Sequence, residues 1–178
     1  MAARYSLARS KARELLRKGC VHSLPVPVEE LAEQVVGAVI RREPLEGRLS
    51  GMVYRGREGQ AIIGVNSKHT STRQRFTIAH ELGHLVLHSE KHLHIDERFP
   101  IAYRNELSSS AVDDNEIEAN EFAAELLMPQ DILRQFVKDV HFDFADADDE
   151  EKLREIAESF QVSVQALNYR IARVTNWQ

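Results

Sequence analysis

The pattern of apolar positions opens with a helical period. Residues 4 to 18 carry apolar side chains at helical intervals among basic ones, at Leu7, Ala8, Ala12, Leu15 and Leu16. This pattern predicts an amphipathic helix that ends at Gly19. A proline-bounded extended stretch follows, and residues 29 to 34 then look helical up to Gly37.

The period changes at Ala38. The segments AVIRRE, LSGMVYRG and QAIIGVN are short, rich in β-branched and aromatic residues, and separated by turns that contain glycine. They predict three strands at about 38 to 43, 49 to 55 and 60 to 65, which we expect to form a small antiparallel sheet.

The helical period returns near residue 70, where Ser71 or Thr72 can cap a long helix with many apolar positions. A polar connection of about 20 residues follows, and loops of that length usually have a functional reason. Residues 114 to 127 predict a second helix that Pro129 stops. Helices at about 130 to 139 and 149 to 159, and a last one in ALNYRIARVT, complete an α+β order.

Composition limits the classes of function. The chain has 178 residues, 43% hydrophobic and 29% charged, with a net charge of -5. Broad binding to nucleic acid is disfavoured, because it depends on cationic side chains that displace counterions. We find no signal peptide and no apolar run of about 20 residues, and Cys20 is the one cysteine. We therefore expect a cytoplasmic location without membrane contact.

The stretch RFTIAHELGHLVLH carries the candidate chemistry. His80 and His84 are four residues apart, so on a helix both imidazoles lie on one face and can reach one ion. Glu81 is rotated by about 100° from His80, which brings its carboxylate near a water at that ion. This is the HExxH arrangement, in which two histidines bind zinc and the glutamate acts as general base.

A catalytic zinc usually has three protein ligands, so a further one is needed. His88 is close in sequence, but about 12 Å of helical rise separates it from His80, which makes a shared ion difficult. Glu116 on the second predicted helix is the better candidate, and Asn120, one turn later, can orient a ligand imidazole by a hydrogen bond. Nearby acids on the same helix are the rivals: Glu118, Glu121 and Glu125.

The pairing of RQRFTIAHELGHLVLH with EIEANEFAAELLMP about 30 residues later resembles the ImmA/IrrE family of metallopeptidases. The resemblance covers roughly residues 28 to 130. It implies a minimal zincin-like core in residues 1–130 with a helical C-terminal subdomain in 131–178. It also implies His80, His84 and Glu116 as metal ligands and Glu81 as general base.

The family resemblance further implies a zinc-dependent endopeptidase that cleaves a partner regulatory protein, such as a helix-turn-helix repressor or an antitoxin. Mn²⁺ or Fe²⁺ would suit the same ligands. The first alternative is a regulator without catalytic activity that holds a DNA-binding partner. The second is direct DNA binding through the tail, which resembles helix-turn-helix sequences and offers Gln165, Asn168, Arg170 and Arg173 as base-reading residues.

Peptide hydrolysis also needs a donor for the developing oxyanion. The long connection after the HExxH helix offers four candidates, namely His92, His94, Tyr103 and Arg104.

Overall fold

The computed structural model describes residues 3–47, 49–56, 59–88, 93–96, 114–138 and 147–175. Within these ranges there are seven helices and four strands. The helices are α1 (Tyr5–Lys18), α2 (Val28–Glu30, continued by a π-helical turn at Leu31–Val36), α3 (Ser71–Leu87), α4 (Asp114–Leu127), α5 (Gln130–Val137), α6 (Ala147–Phe160) and α7 (Val164–Thr175). The strands are β1 (Ala38–Glu43), β2 (Gly51–Arg55), β3 (Ala61–Asn66) and β4 (Leu93–Asp96). The α+β class is confirmed.

The sheet is mixed, so the prediction of a purely antiparallel sheet is wrong. Its order is β1-β3-β2-β4. β2 and β3 form the expected antiparallel hairpin, but β1 pairs with β3 in parallel. Burial explains the order, because β3 is buried along most of its length while β1 ends in the exposed residues 41 to 43. The more apolar strand takes the interior of the sheet.

β4 is a strand that the sequence analysis did not predict. It has four residues and lies inside the polar connection after α3, pairing antiparallel with β2. Its alternation places Leu93 and Ile95 on an exposed face, and the intervening His94 points to the other face. A short, half-exposed edge strand has too little apolar periodicity to be recognised.

α3 lies in the middle of the fold. The side chain of Thr70 caps it by accepting a hydrogen bond from the backbone N–H of Arg73, so the cap is at residue 70 and not at the predicted Ser71 or Thr72. One side of α3 contacts β2 and β3 and the other contacts α4, which in turn packs on α1. No helix in the described part of the chain is long and apolar enough to cross a bilayer.

The basic residues of the first helix are less solvated than their sequence suggests. Arg9 and Arg13 on α1 donate to Glu121 and Glu125 of α4, each at 2.6 Å. The backbone and guanidinium of Arg4, just before α1, bind Glu118 in the same way. These three glutamates are buried, so α1 and α4 are joined by a row of ion pairs as well as by apolar packing.

Candidate metal centre

Two histidines of α3 face each other across one helical turn. The Nε2 atoms of His80 and His84 are 3.1 Å apart, and both side chains are almost fully buried. Their rings are inclined by 72° and meet edge to face, with the two Nε2 atoms as the near edge. The four-residue spacing thus produces the geometry that the sequence predicts.

Glu116 reaches the same point from α4. Its Oε2 atom lies 3.3 Å from His80 Nε2, and its Oε1 atom lies 3.3 Å from His84 Nε2. Ligands held at about 2.0–2.1 Å from one tetrahedral zinc ion are separated from each other by about 3.3–3.4 Å. The three side chains that we expected to bind metal therefore lie at the separations that one small ion requires.

Gly83 allows this approach of the two helices. A β-carbon at Gly83 would be 3.0 Å from the Cα atom and 3.1 Å from the carbonyl oxygen of Ala119. The hydrogen atom of glycine leaves room for the α4 backbone, and Ala119 is only three residues from Glu116. The close contact between α3 and α4 therefore places the carboxylate at the histidines.

The hydrogen bond with Asn120 selects the tautomer of His80 that is able to bind a cation. His80 Nδ1 is 3.0 Å from Asn120 Oδ1, which accepts a hydrogen bond from the N–H at Nδ1. A neutral imidazole has one N–H, so His80 Nε2 presents its lone pair toward His84 and Glu116. Buried lone pairs and a carboxylate that converge at this distance repel each other, and a cation between them removes the repulsion. The donor set fits a divalent metal.

Burial and neighbouring charges favour the binding forms of the ligands. The pKa of His84 is lowered to about 3, mainly by burial; Glu116 opposes the shift, and the nearby His80 and His94 rings add to it. Burial would raise the pKa of Glu116, but His80 and His84 outweigh burial and hold it below the usual range. At neutral pH the imidazole of His84 is therefore neutral and the carboxylate of Glu116 is ionised.

Glu81 is buried on the sheet side of α3. A β-carbon added to Gly51 of β2 would lie 3.1 Å from Glu81 Oε1 and 2.3 Å from the Thr77 side chain. Strand β2 can thus pass close to α3 only because residue 51 has no side chain. Glu81 follows His80 directly and is one helical step away from the histidine face.

A fourth group, His94, joins the three expected ligands. Its Nε2 atom is 3.4 Å from Glu116 Oε1, and one ligand atom from each of His80, His84, His94 and Glu116 lies within 4.8 Å of the others. The sequence analysis named His94 only as a donor to an oxyanion. The alternation of His92-Leu93-His94-Ile95 is the signal that could have indicated a strand with a histidine facing the site.

The rival acids do not reach this centre. Glu118 binds Arg4 and His88, while Glu121 and Glu125 bind the arginines of α1 and α7. His88, the third evenly spaced histidine, follows the last residue of α3, and its Nδ1 is 3.2 Å from His84 Nδ1. The three remaining oxyanion candidates, His92, Tyr103 and Arg104, lie outside the described residues.

The C-terminal helices use two of their four candidate base-reading residues internally. Arg170 is 3% exposed and its guanidinium binds Glu121, Glu125 and the backbone oxygen of Met128. Arg173 donates to Glu121 at 2.6 Å. Side chains held in this way are not presented to a DNA groove, so the tail as described provides little for base recognition beyond Gln165 and Asn168.

Comparisons with known proteins agree with the resemblance in the motifs. The sequence profile of Peptidase_M78, described as the IrrE N-terminal-like domain, matches residues 33–172. "Uncharacterized immunity region protein 2" of Bacillus phage phi105 is 32% identical over 83 residues, which are 47% of this chain and 48% of the phage protein. A solved structure titled "Mycobacterium tuberculosis transcriptional regulator" is similar at a TM-score of 0.58 and 18% identity, over 96% of this chain and 48% of the other. The matched region thus spans about half the length of each relative, and the second likeness concerns the fold alone.

Proposed function

The chain belongs to the Peptidase_M78 family of IrrE N-terminal-like domains, and on this premise we propose that it is a zinc-dependent endopeptidase that cleaves a partner regulatory protein. The observation that carries the proposal is the convergence of His80, His84 and Glu116, with Glu81 next to the first histidine. Two imidazoles and one carboxylate are a common ligand set of catalytic zinc. Mn²⁺ and Fe²⁺ accept the same donors, and zinc is the ion that we propose.

Each protein group has a separate part in the proposed hydrolysis. His80, His84 and Glu116 would hold the ion, which when bound would supply a Lewis acid for a carbonyl and for a water. Glu81 takes a proton from the attacking water, whose oxygen bonds to the carbonyl carbon. Glu81 then delivers the proton to the leaving nitrogen as the carbon–nitrogen bond breaks.

We assign His94 to the carbonyl oxygen of the substrate rather than to the ion. Its ring is stacked on that of His84, with centroids 3.7 Å apart and planes inclined by 24°. Nearly parallel rings cannot both direct in-plane lone pairs at one ion about 2 Å away, whereas the inclined rings of His80 and His84 can. Beside the ion, an N–H of His94 can stabilise negative charge as it develops on the carbonyl oxygen.

The form of the proposed substrate follows from β4. Among the described strands β4 pairs only with β2, and we propose that an extended peptide of the substrate adds to the sheet along the other edge of β4. Leu93 and Ile95 are 49% and 46% exposed on this strand and offer apolar contacts to such a peptide. His94 lies between them in sequence, which would bring the added peptide next to the candidate centre.

The proposed partner is a helix-turn-helix repressor or an antitoxin, and the phage relative named as an immunity region protein supports this choice. The test mixes the purified chain and the product of its neighbouring gene with Zn²⁺ or with a chelator, and identifies fragments by mass spectrometry. Glu81→Gln is the diagnostic variant and Glu33→Gln, at an exposed position, is its control.

We expect fragments from the native chain and Glu33→Gln in Zn²⁺, none with chelator, and cleavage at least about 100-fold slower in Glu81→Gln. Zinc content should be equal in all three proteins. Full cleavage by zinc-loaded Glu81→Gln would contradict the role of Glu81. A stable complex with the partner but no fragments under any condition would favour the regulator without catalytic activity.

A further inference from the structure

We propose that Arg4, Glu118 and His88 form a relay that holds His84 in the tautomer able to bind metal, and so set the affinity of the centre for a divalent cation. These three are positioning residues and do not touch the ion. The inference rests on the proposed function in one respect, since it requires that His84 binds a cation.

The relay starts at a carboxylate that is held from several sides. Glu118 is 3% exposed and its Oε1 accepts the backbone N–H of Arg4 at 2.8 Å and Nε–H at 2.9 Å. Its Oε2 accepts Arg4 Nη2–H at 2.9 Å and is 3.1 Å from His88 Nε2. Arg4 thus donates three hydrogen bonds to Glu118, and a carboxylate paired with a guanidinium in this way only accepts hydrogen bonds.

The Glu118 carboxylate, as an acceptor, sets the direction of each hydrogen bond in the relay. Glu118 can only accept, so His88 Nε2 must donate. The imidazole tautomer that has its N–H on Nε2 has a lone pair on Nδ1, and Nδ1 of His88 lies 3.2 Å from His84 Nδ1. His84 therefore carries its proton on Nδ1 and presents the lone pair of Nε2 to His80 and Glu116.

The two ligand histidines of α3 are thus oriented by unequal means. His80 depends on one side-chain amide, that of Asn120, within the buried contact of α3 with α4. The orientation of His84 depends on a series of hydrogen bonds that runs through His88 and Glu118 to Arg4. The side chain of Arg4 is 54% exposed. The outer member of the relay, Arg4, lies at the start of α1. A surface contact that moves Arg4 can therefore change the orientation of His84 through these hydrogen bonds.

The neighbouring ion pairs of α1 provide a matched comparison. Arg13 pairs with Glu125 at 2.6 Å, and its side chain is 45% exposed against 1% for the glutamate. This pair joins the same two helices, but the recorded contacts of Glu125 are with arginines and include no histidine. Removing the Arg13 guanidinium loosens the helix contact without touching the relay.

The experiment measures the zinc dissociation constant of the full chain by competition with a chelator, using zinc alone as the probe. The visible spectrum of the Co²⁺ form is a second readout of ligand geometry. We expect Glu118→Gln and His88→Leu each to weaken zinc binding by about 10- to 100-fold. The double variant should be no weaker than His88→Leu alone, because Glu118 acts through His88.

Arg4→Met should weaken zinc binding by about 3- to 10-fold, since the backbone N–H of residue 4 still holds the carboxylate. Arg4→Lys should recover part of this loss. In Arg13→Met the zinc dissociation constant should stay within about twofold of the native value. The Co²⁺ spectrum should be unchanged, even where the substitution lowers stability.

Equal effects of Arg4→Met and Arg13→Met on zinc binding would overturn the relay, as would native affinity in Glu118→Gln or additive losses in the double variant. Arg4→Met changes a half-exposed side chain, so it keeps the test decisive if a buried variant fails to fold. If the native chain binds zinc no better than His80→Ala, the proposed function and the relay both fail. If the native chain binds zinc and Glu118→Gln binds it equally well, the relay alone is contradicted and the proposed function stands.

Discussion

The Nδ1 atoms of His80 and His84 decide what their Nε2 atoms can do. An amide oxygen accepts from His80, while the imidazole of His88 lies at the corresponding atom of His84. In both cases the inner nitrogen keeps its lone pair, which is the requirement for a metal ligand. Of the three histidines with identical spacing, His80 and His84 lie on α3 at the candidate centre, and His88, just after α3, lies behind His84.

Substitution of His94 separates an oxyanion donor from a fourth ligand. We expect His94→Ala to slow cleavage by about 10²- to 10³-fold, because a donor to the developing oxyanion is lost. Its zinc dissociation constant should stay within about threefold of the native value, in contrast to His84→Ala. A loss of zinc binding in His94→Ala as large as that in His84→Ala would show that His94 is a ligand.

The buried His84 predicts how acid affects the metal-free protein. Its pKa in the folded state is about 3, mainly because of burial, against about 6.5 in an unfolded chain. The unfolded state therefore binds the proton more readily as the pH falls, and the stability present above about pH 6.5 is lost progressively toward pH 3. One such group contributes a slope of about 1.4 kcal/mol per pH unit.

Urea unfolding of the metal-free chain between pH 7 and pH 4 measures this slope. The His84→Gln variant should lose stability less steeply, by the equivalent of about one proton. Parallel curves for the two proteins would mean that His84 is not buried as a neutral imidazole.

At the scale of elements, the distance between α3 and α4 controls the candidate centre. Gly83→Ala should gain up to about 1 kcal/mol of helix propensity. It also places a methyl group 3.0 Å from the Cα atom of Ala119, which forces α4 and its Glu116 outward. We expect weaker zinc binding, by at least about threefold, and at best unchanged stability. Zinc affinity equal to that of the native chain would contradict this account.

The elements differ in how far the sequence could predict them. α3 and α4 have long, uninterrupted helical periods, and the spacing within each helix already placed the histidines on one face. The meeting of Glu116 with those histidines depends on contact between segments about 30 residues apart, which the family motif indicated and periodicity could not. The order of the sheet depends on which strand is buried on both faces, and β4 is too short for its pattern to be distinguished from a loop.

At the scale of the molecule, α4 is held from both ends of the chain. α1 supplies Arg9 and Arg13, and α7 supplies Arg170 and Arg173, to the same two buried glutamates. From the sequence we consider the acids of α4 only as rivals of Glu116 for metal, and the tail as an alternative site of DNA binding. Charged residues on a helix look exposed until their partners are known, so this network could not be inferred from either helix alone.

Arg170 provides the test of this connection. Arg170→Met leaves Glu121 and Glu125 with fewer cationic partners in a buried site, so we expect a loss of about 3–5 kcal/mol in the free energy of unfolding. Arg154→Met on α6, whose pairs with Glu150 and Glu151 are exposed, should cost less than about 1 kcal/mol. Urea unfolding compares the two variants. Equal small losses would indicate that residues 131–178 form an independent subdomain, as the sequence boundary predicts.

The clamping of α4 between α1 and α7 also concerns the order in which the protein is made. Synthesis proceeds from the N-terminus, so the histidines of α3 leave the ribosome before α4, and α7 follows last. Until α7 emerges, the helix that carries Glu116 has two buried acids that lack part of their counter-charge. The two histidines of α3 therefore emerge before Glu116, the third residue of the candidate centre, and the buried acids of α4 gain their full counter-charge only after α7 has emerged.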